Sequence, residues 1–187
     1  MKILFIADFF VGQVNGGGEL NNSVLKRLLS SKGHKIRPVN SHQVNHMDIM
    51  YNDAIIVSNF VNLTEKNKDE IQDKNYVIYE HDHKYLSTRN PAMFKYFKAP
   101  REAIVNYEFY KKAKAVFCQS KFHADIVKKN LELDNIINVG GNLWTPEALD
   151  RLRSLADRKK SDKCSVMHSE IPHKGTDHAK AYCEKNN

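Results

Sequence analysis

The chain has 187 residues, of which 41% are hydrophobic and 27% are charged. This composition is typical of one globular domain, or of one domain with the beginning of a second, and it excludes wholly disordered and fibrous proteins. Lysine and arginine outnumber the acids by 29 to 22, and the net charge of +7 permits an anionic partner such as phosphate, nucleic acid or an anionic membrane surface.

No targeting or membrane-spanning segment is predicted. The first apolar run ends at Asp8, and no stretch approaches the ~20 apolar residues that a spanning helix needs. The three cysteines have no paired spacing, which fits a reducing compartment. We therefore expect a soluble, cytoplasmic protein. Basic residues concentrate between Lys95 and Lys129, where they form either the solvated faces of two helices or a surface for peripheral membrane contact or for an anionic acceptor.

Short β-rich runs alternate with helical runs along most of the chain. Strands are predicted over residues 2–8, 34–39, 54–58, 76–80, 115–119 and 136–139. Helices are predicted between them, over residues 20–29, 64–73, 101–113 and 121–130, the last with Ser120 as its N-cap. This alternation predicts an α/β fold, a doubly wound (Rossmann-like) parallel sheet of about six strands with helices on both faces.

The last part of the chain has a different pattern. Thr145-Pro146-Glu147 is a strong helix start, and the helix is predicted to end near Ala156. A charged stretch over residues 157–163 is predicted to be a linker, and it is followed by a short strand over residues 164–168 and a helix over 175–184. We therefore predict a first domain over residues 1–156 and the start of a second over residues 164–187.

Two loops at the carboxyl edge of the predicted sheet could carry chemistry, because ligands of doubly wound folds bind there. The first contains Gly16, Gly17, Gly18 and Glu19, and it opens directly into a helix whose free N–H groups could hold an anion such as a diphosphate. Its spacing matches neither a P-loop nor a dinucleotide-binding fingerprint. The alternative is a flexible turn in which Glu19 offsets the helix dipole.

The second loop follows the fourth strand and contains His81, Asp82 and His83. Side chains two apart in an extended segment point the same way, so His81 and His83 could share a metal ion, although no third ligand is evident. A more economical interpretation is that His81 acts in hydrogen bonding or as a general base, with Asp82 orienting it or accepting from a hydroxyl. A polar loop without function is the remaining alternative.

Several other site types are disfavoured by the sequence. None of the cysteines has a context that would stabilise a thiolate nucleophile, and no Gly-x-Ser-x-Gly elbow is present. Trp144 is interpreted as a packing residue. Nothing matches the aromatic and basic consensus of a nucleic-acid-binding module, so no nucleic acid is expected as a partner.

In their order, these features resemble the GT-B glycosyltransferases of family 4, which are retaining enzymes. The resemblance rests on the Gly16–Glu19 loop, on His81-Asp82, on the strand that ends in Ser120, and on a turn containing Asn142 in which Leu143 replaces the family's glycine. Near the end of the chain, residues 166–175 align with the opening of the family's second domain, keeping Lys174 and Gly175 and replacing its Gly-Arg by His168-Ser169.

The resemblance implies a GT-B amino-terminal half that transfers a sugar from a nucleotide-sugar to a glycan, lipid or other hydroxyl acceptor. It implies that His81 and Asp82 are catalytic, that residues 16–19 with Lys174 and Gly175 bind the donor phosphates, and that Ser120 and Asn142 line the acceptor cleft. No metal or other cofactor is implied. The chain ends at Asn187, before the family's Glu-x7-Glu segment, so we expect a truncated or partial enzyme.

Two alternatives come from other functional classes. One is a non-catalytic Rossmann-like module that holds a phosphorylated or glycosidic ligand without turning it over. The other is a metal-dependent hydrolase built on His81 and His83.

Overall fold

A computed structural model describes residues 1–170 and 174–186, and its main feature is a six-stranded sheet in which all neighbouring strands are parallel. The strand order is β2-β1-β3-β4-β5-β6. The strands are β1 (Lys2–Ala7), β2 (Lys35–Asn40), β3 (Ala54–Val57), β4 (Tyr76–Glu80), β5 (Val116–Cys118) and β6 (Ile136–Asn138). The predicted doubly wound α/β fold is therefore confirmed.

Seven α-helices accompany the sheet in the described residues. They are α1 (Gly17–Ser31), α2 (His46–Met50), α3 (Glu65–Gln72), α4 (Tyr107–Lys112), α5 (Lys121–Leu131), α6 (Pro146–Ala156) and α7 (Thr176–Asn186). The strand order reverses direction between β1 and β3, and such a switch point opens a crevice at the carboxyl ends of the strands. None of these helices is both long enough and apolar enough to span a bilayer.

The core is centred on β1, in which the side chains of Leu4, Phe5 and Ile6 are fully buried. A strand with both faces covered needs a nearly continuous apolar run, which this segment has. Full burial of each large apolar side chain contributes roughly 1.5–3 kcal/mol. By contrast, β2 lies at the sheet edge and contains Pro38. Proline has no backbone N–H to donate to a neighbouring strand, so it suits an edge strand better than a central one.

Two predicted elements differ from the structure, and one helix was not predicted. The helix over residues 101–113 is instead a 3-10 turn at Arg101–Ala103, then extended backbone, then α4. A helix absent from the prediction, α2, begins at His46, and its N-cap Asn45 forms a capping box with Asp48. The strand predicted over residues 164–168 does not form, since no strand of the described second unit is available to pair with it.

The chain divides into two compact units, Met1–Thr145 and Pro146–Asn187. The first contains the whole sheet. The second contains α6 and α7, so α6, which lies within the predicted first domain, falls in the second unit. In the second unit the hydroxyl of Thr176 donates to the carbonyl of Met167 at 2.9 Å and accepts from the N–H of Ser169 at 3.0 Å, which ties the start of α7 to the preceding segment.

Candidate functional site

Polar side chains from three strand ends meet the first turns of α1 at the carboxyl edge of the sheet. We call this group the polar edge, and it consists of Asn22, Ser58, Asn59, His81 and Gln119. Ser58 and Asn59 follow β3, His81 follows β4 and Gln119 follows β5, while Asn22 comes from α1. Parallel strands bring these positions together because their carboxyl ends share one edge of the sheet.

At Gly18 the backbone of α1 packs against the His81 ring. A Cβ atom at position 18 would lie 3.4 Å from Cγ of His81 and 3.4 Å from Nδ2 of Asn59. A Cβ atom at position 17 would meet nothing within 4 Å. Gly18 therefore has a specific packing role, whereas Gly17 leaves open space beside the helix start.

The N-terminus of α1 has no side-chain cap at Gly16. The first N–H groups of a helix have no partner within the helix, and together with the dipole they favour a negative group. Glu19 supplies one such group: it is buried, and its Oε1 atom accepts a hydrogen bond from Nδ2 of Asn59 at 3.3 Å. A further anion at this helix start would have to bind beside the Glu19 carboxylate.

Both ring nitrogens of His81 are hydrogen-bonded to side chains of the polar edge. Nδ1 accepts from Nε2 of Gln119 at 2.5 Å, and Nε2 lies 2.8 Å from Oδ1 of Asn22. A carbonyl oxygen can only accept, so the proton of the ring resides on Nε2. The same Asn22 oxygen accepts from the Ser58 hydroxyl at 2.8 Å. The imidazole is thus held in one tautomer and one orientation.

His81 is uncharged at neutral pH. Burial lowers its pKa to about 4, and the nearby positive charge of Lys84 acts in the same direction. A group with this pKa is a weak base, and its Nδ1 lone pair is already occupied by Gln119. The geometry therefore suits a hydrogen-bonding and positioning role better than general-base catalysis.

Asp82 belongs to a chain of charges that begins in the interior. Lys84, which is almost fully buried, lies 3.4 Å from Oε1 of the buried Glu80 and 3.2 Å from Oδ1 of Asp82. Arg89 reaches the other Asp82 oxygen at 3.6 Å. Asp82 follows His81 in the loop and its side chain is half-exposed. Two cations, Lys84 and Arg89, already pair with its carboxylate.

The second histidine of the loop points to a different neighbour. His83 accepts or donates at Nδ1 with the Tyr85 hydroxyl, 3.0 Å away, and its ring packs edge-on against that of His123. His81 instead packs edge-on against Tyr79. Within residues 1–170 and 174–186, no three histidine, cysteine, aspartate or glutamate side chains are grouped as metal ligands would be.

The remaining predicted site residues of the first unit have clear structural settings. The Ser120 hydroxyl accepts from the N–H of His123 at 3.1 Å, so the predicted N-cap of α5 is confirmed. Asn142 is exposed in the loop after β6. The next residue, Leu143, donates its N–H to Oδ1 of Asn21 at 2.9 Å, which brings that loop to the first turns of α1.

Lys174 and Gly175 lie in the second unit, immediately before α7. Gly175 has a φ of +70°, a left-handed conformation that glycine adopts without strain. Residues 171–173 of the segment that resembles the family lie outside the described residues.

The sequence prediction missed the asparagines and the glutamine of the site. Asn22 is fully buried although it lies inside a helix, and its Nδ2 atom has no hydrogen-bond partner among the described residues. The same holds for Oδ1 of Asn59. Two adjacent asparagines near the start of an amphipathic helix, Asn21-Asn22, were the signal that could have identified them, since a buried asparagine needs hydrogen-bond partners.

Because His81 and His83 are partly buried, we expect the protein to lose stability in mild acid. Burial lowers the pKa of both His81 and His83 to about 4, whereas an unfolded histidine titrates near 6.5. The unfolded state therefore binds more protons below pH 6.5, and each histidine should remove roughly 2 kcal/mol of unfolding free energy between pH 7 and pH 5. Urea unfolding at the two pH values measures this loss.

His83→Gln should reduce the pH dependence of the unfolding free energy, and substitution of the exposed His42 by Gln is the matched control that should leave it unchanged. An identical pH dependence in the His83 variant and in the original chain would contradict the effect of burial.

Comparisons with known proteins name no family for this chain. No protein-family model matches it. No curated protein matches it either. Among solved structures, a flavodoxin from Streptococcus pneumoniae TIGR4 is similar over 83% of this chain and 94% of its own, with 14% sequence identity and a TM-score of 0.33. What can be said of function therefore comes from the residues of the polar edge.

Proposed function

We propose that this chain is the amino-terminal part of a GT-B glycosyltransferase of the retaining, family 4-like type. It would transfer a sugar from a nucleotide-sugar to a glycan, lipid or other hydroxyl acceptor. The observation that carries the proposal is the close packing of His81 against Gly18 at the uncapped N-terminus of α1. This places an oriented imidazole beside a helix start that favours negative charge.

The chemistry needs positive potential where the donor's leaving group develops its charge. When the bond between the anomeric carbon and the diphosphate breaks, the electron pair stays on the diphosphate. The acceptor oxygen forms the new bond to carbon, and its proton passes to the departing diphosphate oxygen. The N–H groups at Gly17 and Gly18 would stabilise the diphosphate. Open space beside Gly17 is consistent with close approach of a ligand.

The polar edge would orient the transferred sugar. His81 would contact the sugar near the reacting carbon, and Asp82 would support it or accept from acceptor hydroxyls. Nδ2 of Asn22 and Oδ1 of Asn59 are buried beside His81 and have no hydrogen-bond partner among the described residues. Ser120 and Asn142 would border the acceptor side.

Two glycine substitutions test the proposal. Gly18→Val should displace the His81 ring, because even a Cβ atom at this position lies in contact with it, and should lower sugar transfer about a hundredfold. Gly141→Ala adds a Cβ atom into open space at a glycine outside the proposed donor site, and it is the matched control for the loss of a glycine. Transfer and nucleoside-diphosphate release are measured with a panel of uridine and guanosine diphosphate sugars.

Equal activity of the Gly18→Val variant and the original chain, with circular dichroism showing both folded, would contradict the assignment of the site. Failure of every nucleotide-sugar to bind in calorimetric titrations would contradict the proposed donor class.

A second candidate function is a binding module that holds a glycosidic or phosphorylated ligand without turnover. It is favoured by the hydrogen bonds that occupy both nitrogens of His81 and leave it no free lone pair. Binding of a nucleotide-sugar in calorimetry without sugar transfer or diphosphate release would support this module over the enzyme.

A further inference from the structure

Three aromatic side chains project into solvent on the surface formed by the loop after β4 and by α5. Tyr96 is 72% exposed and Phe122 is 64% exposed, and the ring of Phe97 packs edge-on against Phe122 with the centroids 5.6 Å apart. Met93, which precedes them in the loop, is 67% exposed. Clustered exposed apolar side chains are a common mark of an interaction surface.

The backbone holds these rings outward at a conformational cost. Tyr96 and Phe97 have φ values of 55° and 59°, in the left-handed region that bulky side chains rarely adopt. Such conformations persist only where the surroundings enforce them, and they concentrate at functional positions. Since the Tyr96 ring remains in water, burial of that ring does not account for the strained conformation.

Asn130 on α5 enforces the conformation. It is buried, its Nδ2 donates to the carbonyl of Phe97 at 2.8 Å, and its Oδ1 accepts from the N–H of Ala99 at 2.8 Å. Lys129 adds a third tie by donating to the carbonyl of Tyr96 at 2.6 Å. The projecting loop is therefore a built structure, anchored to the helix beneath it.

Lysines surround the projecting rings. The ammonium groups of Lys95 and Lys129 lie 5.1 and 6.0 Å from the centroid of the Tyr96 ring. Lys98 and Lys121 are the sequence neighbours of Phe97 and Phe122, and each is paired with an acid, Glu132 and Asp125 respectively. Lys95 has no acidic partner among the described residues.

A cavity of about 510 Å³ adjoins this surface and shares Lys98 with it. Arg101, Tyr107 and the acidic Glu132 also line the cavity, and Glu132 pairs with Lys98. Exposed aromatic rings, the unpaired charge of Lys95 and a depression of mixed charge that contains Arg101 lie side by side. This combination matches the boundary between lipid headgroups and acyl chains, where rings enter the apolar layer and lysines meet the phosphates.

We propose that Tyr96, Phe97 and Phe122, with the lysines around them, form a surface that docks on an anionic lipid bilayer. The rings insert at the level of the headgroups, and Lys95 and Lys129 contact lipid phosphates. The proposal is independent of sugar transfer, because none of these residues belongs to the polar edge.

Co-sedimentation with lipid vesicles tests this surface. We expect the chain to bind vesicles made of equal parts phosphatidylcholine and phosphatidylglycerol, and not to bind vesicles of phosphatidylcholine alone. The bound chain should dissociate as the salt concentration is raised. Phe122→Ser, on regular helical backbone, should weaken binding about tenfold, and combining it with Tyr96→Ser should weaken it further. Tyr51→Ser is the control, since Tyr51 is 65% exposed outside the cluster.

A pair of lysine variants distinguishes direct contact of Lys95 with lipid from the effect of the protein's net charge. Lys95→Gln should weaken vesicle binding roughly fivefold, while Lys66→Gln, which removes the same charge elsewhere, should change it far less. Equal effects of the two lysine variants would overturn the proposal, as would vesicle binding that survives loss of both rings in folded protein. Failure to bind anionic vesicles, together with binding of single-stranded RNA that depends on Tyr96 and Phe122, would assign the surface to nucleic acid instead.

Discussion

Lys84→Met is expected to lower the free energy of unfolding by about 3 kcal/mol at pH 7. The Lys84 ammonium is buried beside the fully buried carboxylate of Glu80, which also accepts a hydrogen bond from the Tyr110 hydroxyl. Methionine fills a similar volume but leaves the Glu80 charge in the interior without a cation. An unpaired buried charge is far more costly than a lost surface pair.

The loss should be smaller at pH 5 than at pH 7. Burial raises the pKa of Glu80, while Lys84 and the Tyr110 hydrogen bond oppose that rise. Without Lys84 the pKa rises further, so the folded protein takes up a proton on Glu80 more readily as the pH falls. Loss of the positive charge beside His81 acts in the same direction. Urea unfolding followed by circular dichroism at both pH values measures the difference.

Lys121→Met is the matched control for this prediction. Lys121 pairs with Asp125 at 2.6 Å over the same four-residue spacing, but its side chain is 79% exposed. Its loss should cost less than about 0.5 kcal/mol. Similar losses for the two lysine variants would show that the interior pair does not stabilise the fold as described. Adding Glu80→Gln to Lys84→Met should restore part of the stability, because it removes the unpaired charge.

Asp8→Ala is expected to lower the free energy of unfolding by about 2–3 kcal/mol. Asp8 directly follows β1 and is buried. Its carboxylate accepts from the Ser41 hydroxyl and from the N–H groups of Val61 and Asn62, the latter two at 2.9 and 3.0 Å. Alanine leaves these donors without their acceptor and releases the loop after β3, which helps to place Asn59. Thermal and urea unfolding measure the loss.

Asp8→Asn should have an intermediate effect, because one oxygen still accepts while the amide NH₂ group faces a donor. Asp53→Ala is the control: Asp53 also accepts from a backbone N–H, that of Lys2 at 2.7 Å, but at an exposed position, and its loss should cost less than about 1 kcal/mol. A loss for Asp8→Ala no larger than for Asp53→Ala would contradict the role assigned to this carboxylate.

The strands were predictable because their apolar runs are local. The prediction of strand residues 2–8 agrees closely with β1, and the predicted residues 76–80 agree with β4. The helix predicted over residues 101–113 failed for a reason that local sequence does not contain. Asn106 adopts a left-handed conformation, and its side chain donates to the carbonyl of Lys84 and accepts from the Lys68 ammonium. Contacts distant in sequence thus interrupt the helix.

The candidate site was predictable only in part. Glycines at a helix start and a histidine at a strand end are local features, and both were recognised. The pairing of His81 with Asn22 and Gln119 joins three segments far apart in the chain. The packing of those segments decides whether the imidazole keeps a free lone pair for a ligand or has both nitrogens bonded to neighbouring side chains.

The aromatic surface shows the same division. The sequence contains the lysines between residues 95 and 129, but they could equally have been the solvated faces of helices. The left-handed backbone at Tyr96 and Phe97, held by Asn130, is what turns the rings outward. No periodicity encodes that conformation, because it depends on hydrogen bonds between the loop and α5.

By itself, the sequence determined the α/β class, most strand positions, the capped start of α5 and the two loops that hold the candidate site, since each depends on neighbours along the chain. The tertiary structure decided the strand order, the tautomer of His81, the neutralisation of Glu80 by Lys84 and the projection of the Tyr96 loop. These properties arise from burial and from hydrogen bonds between distant segments, and such contacts exist only once the chain has folded.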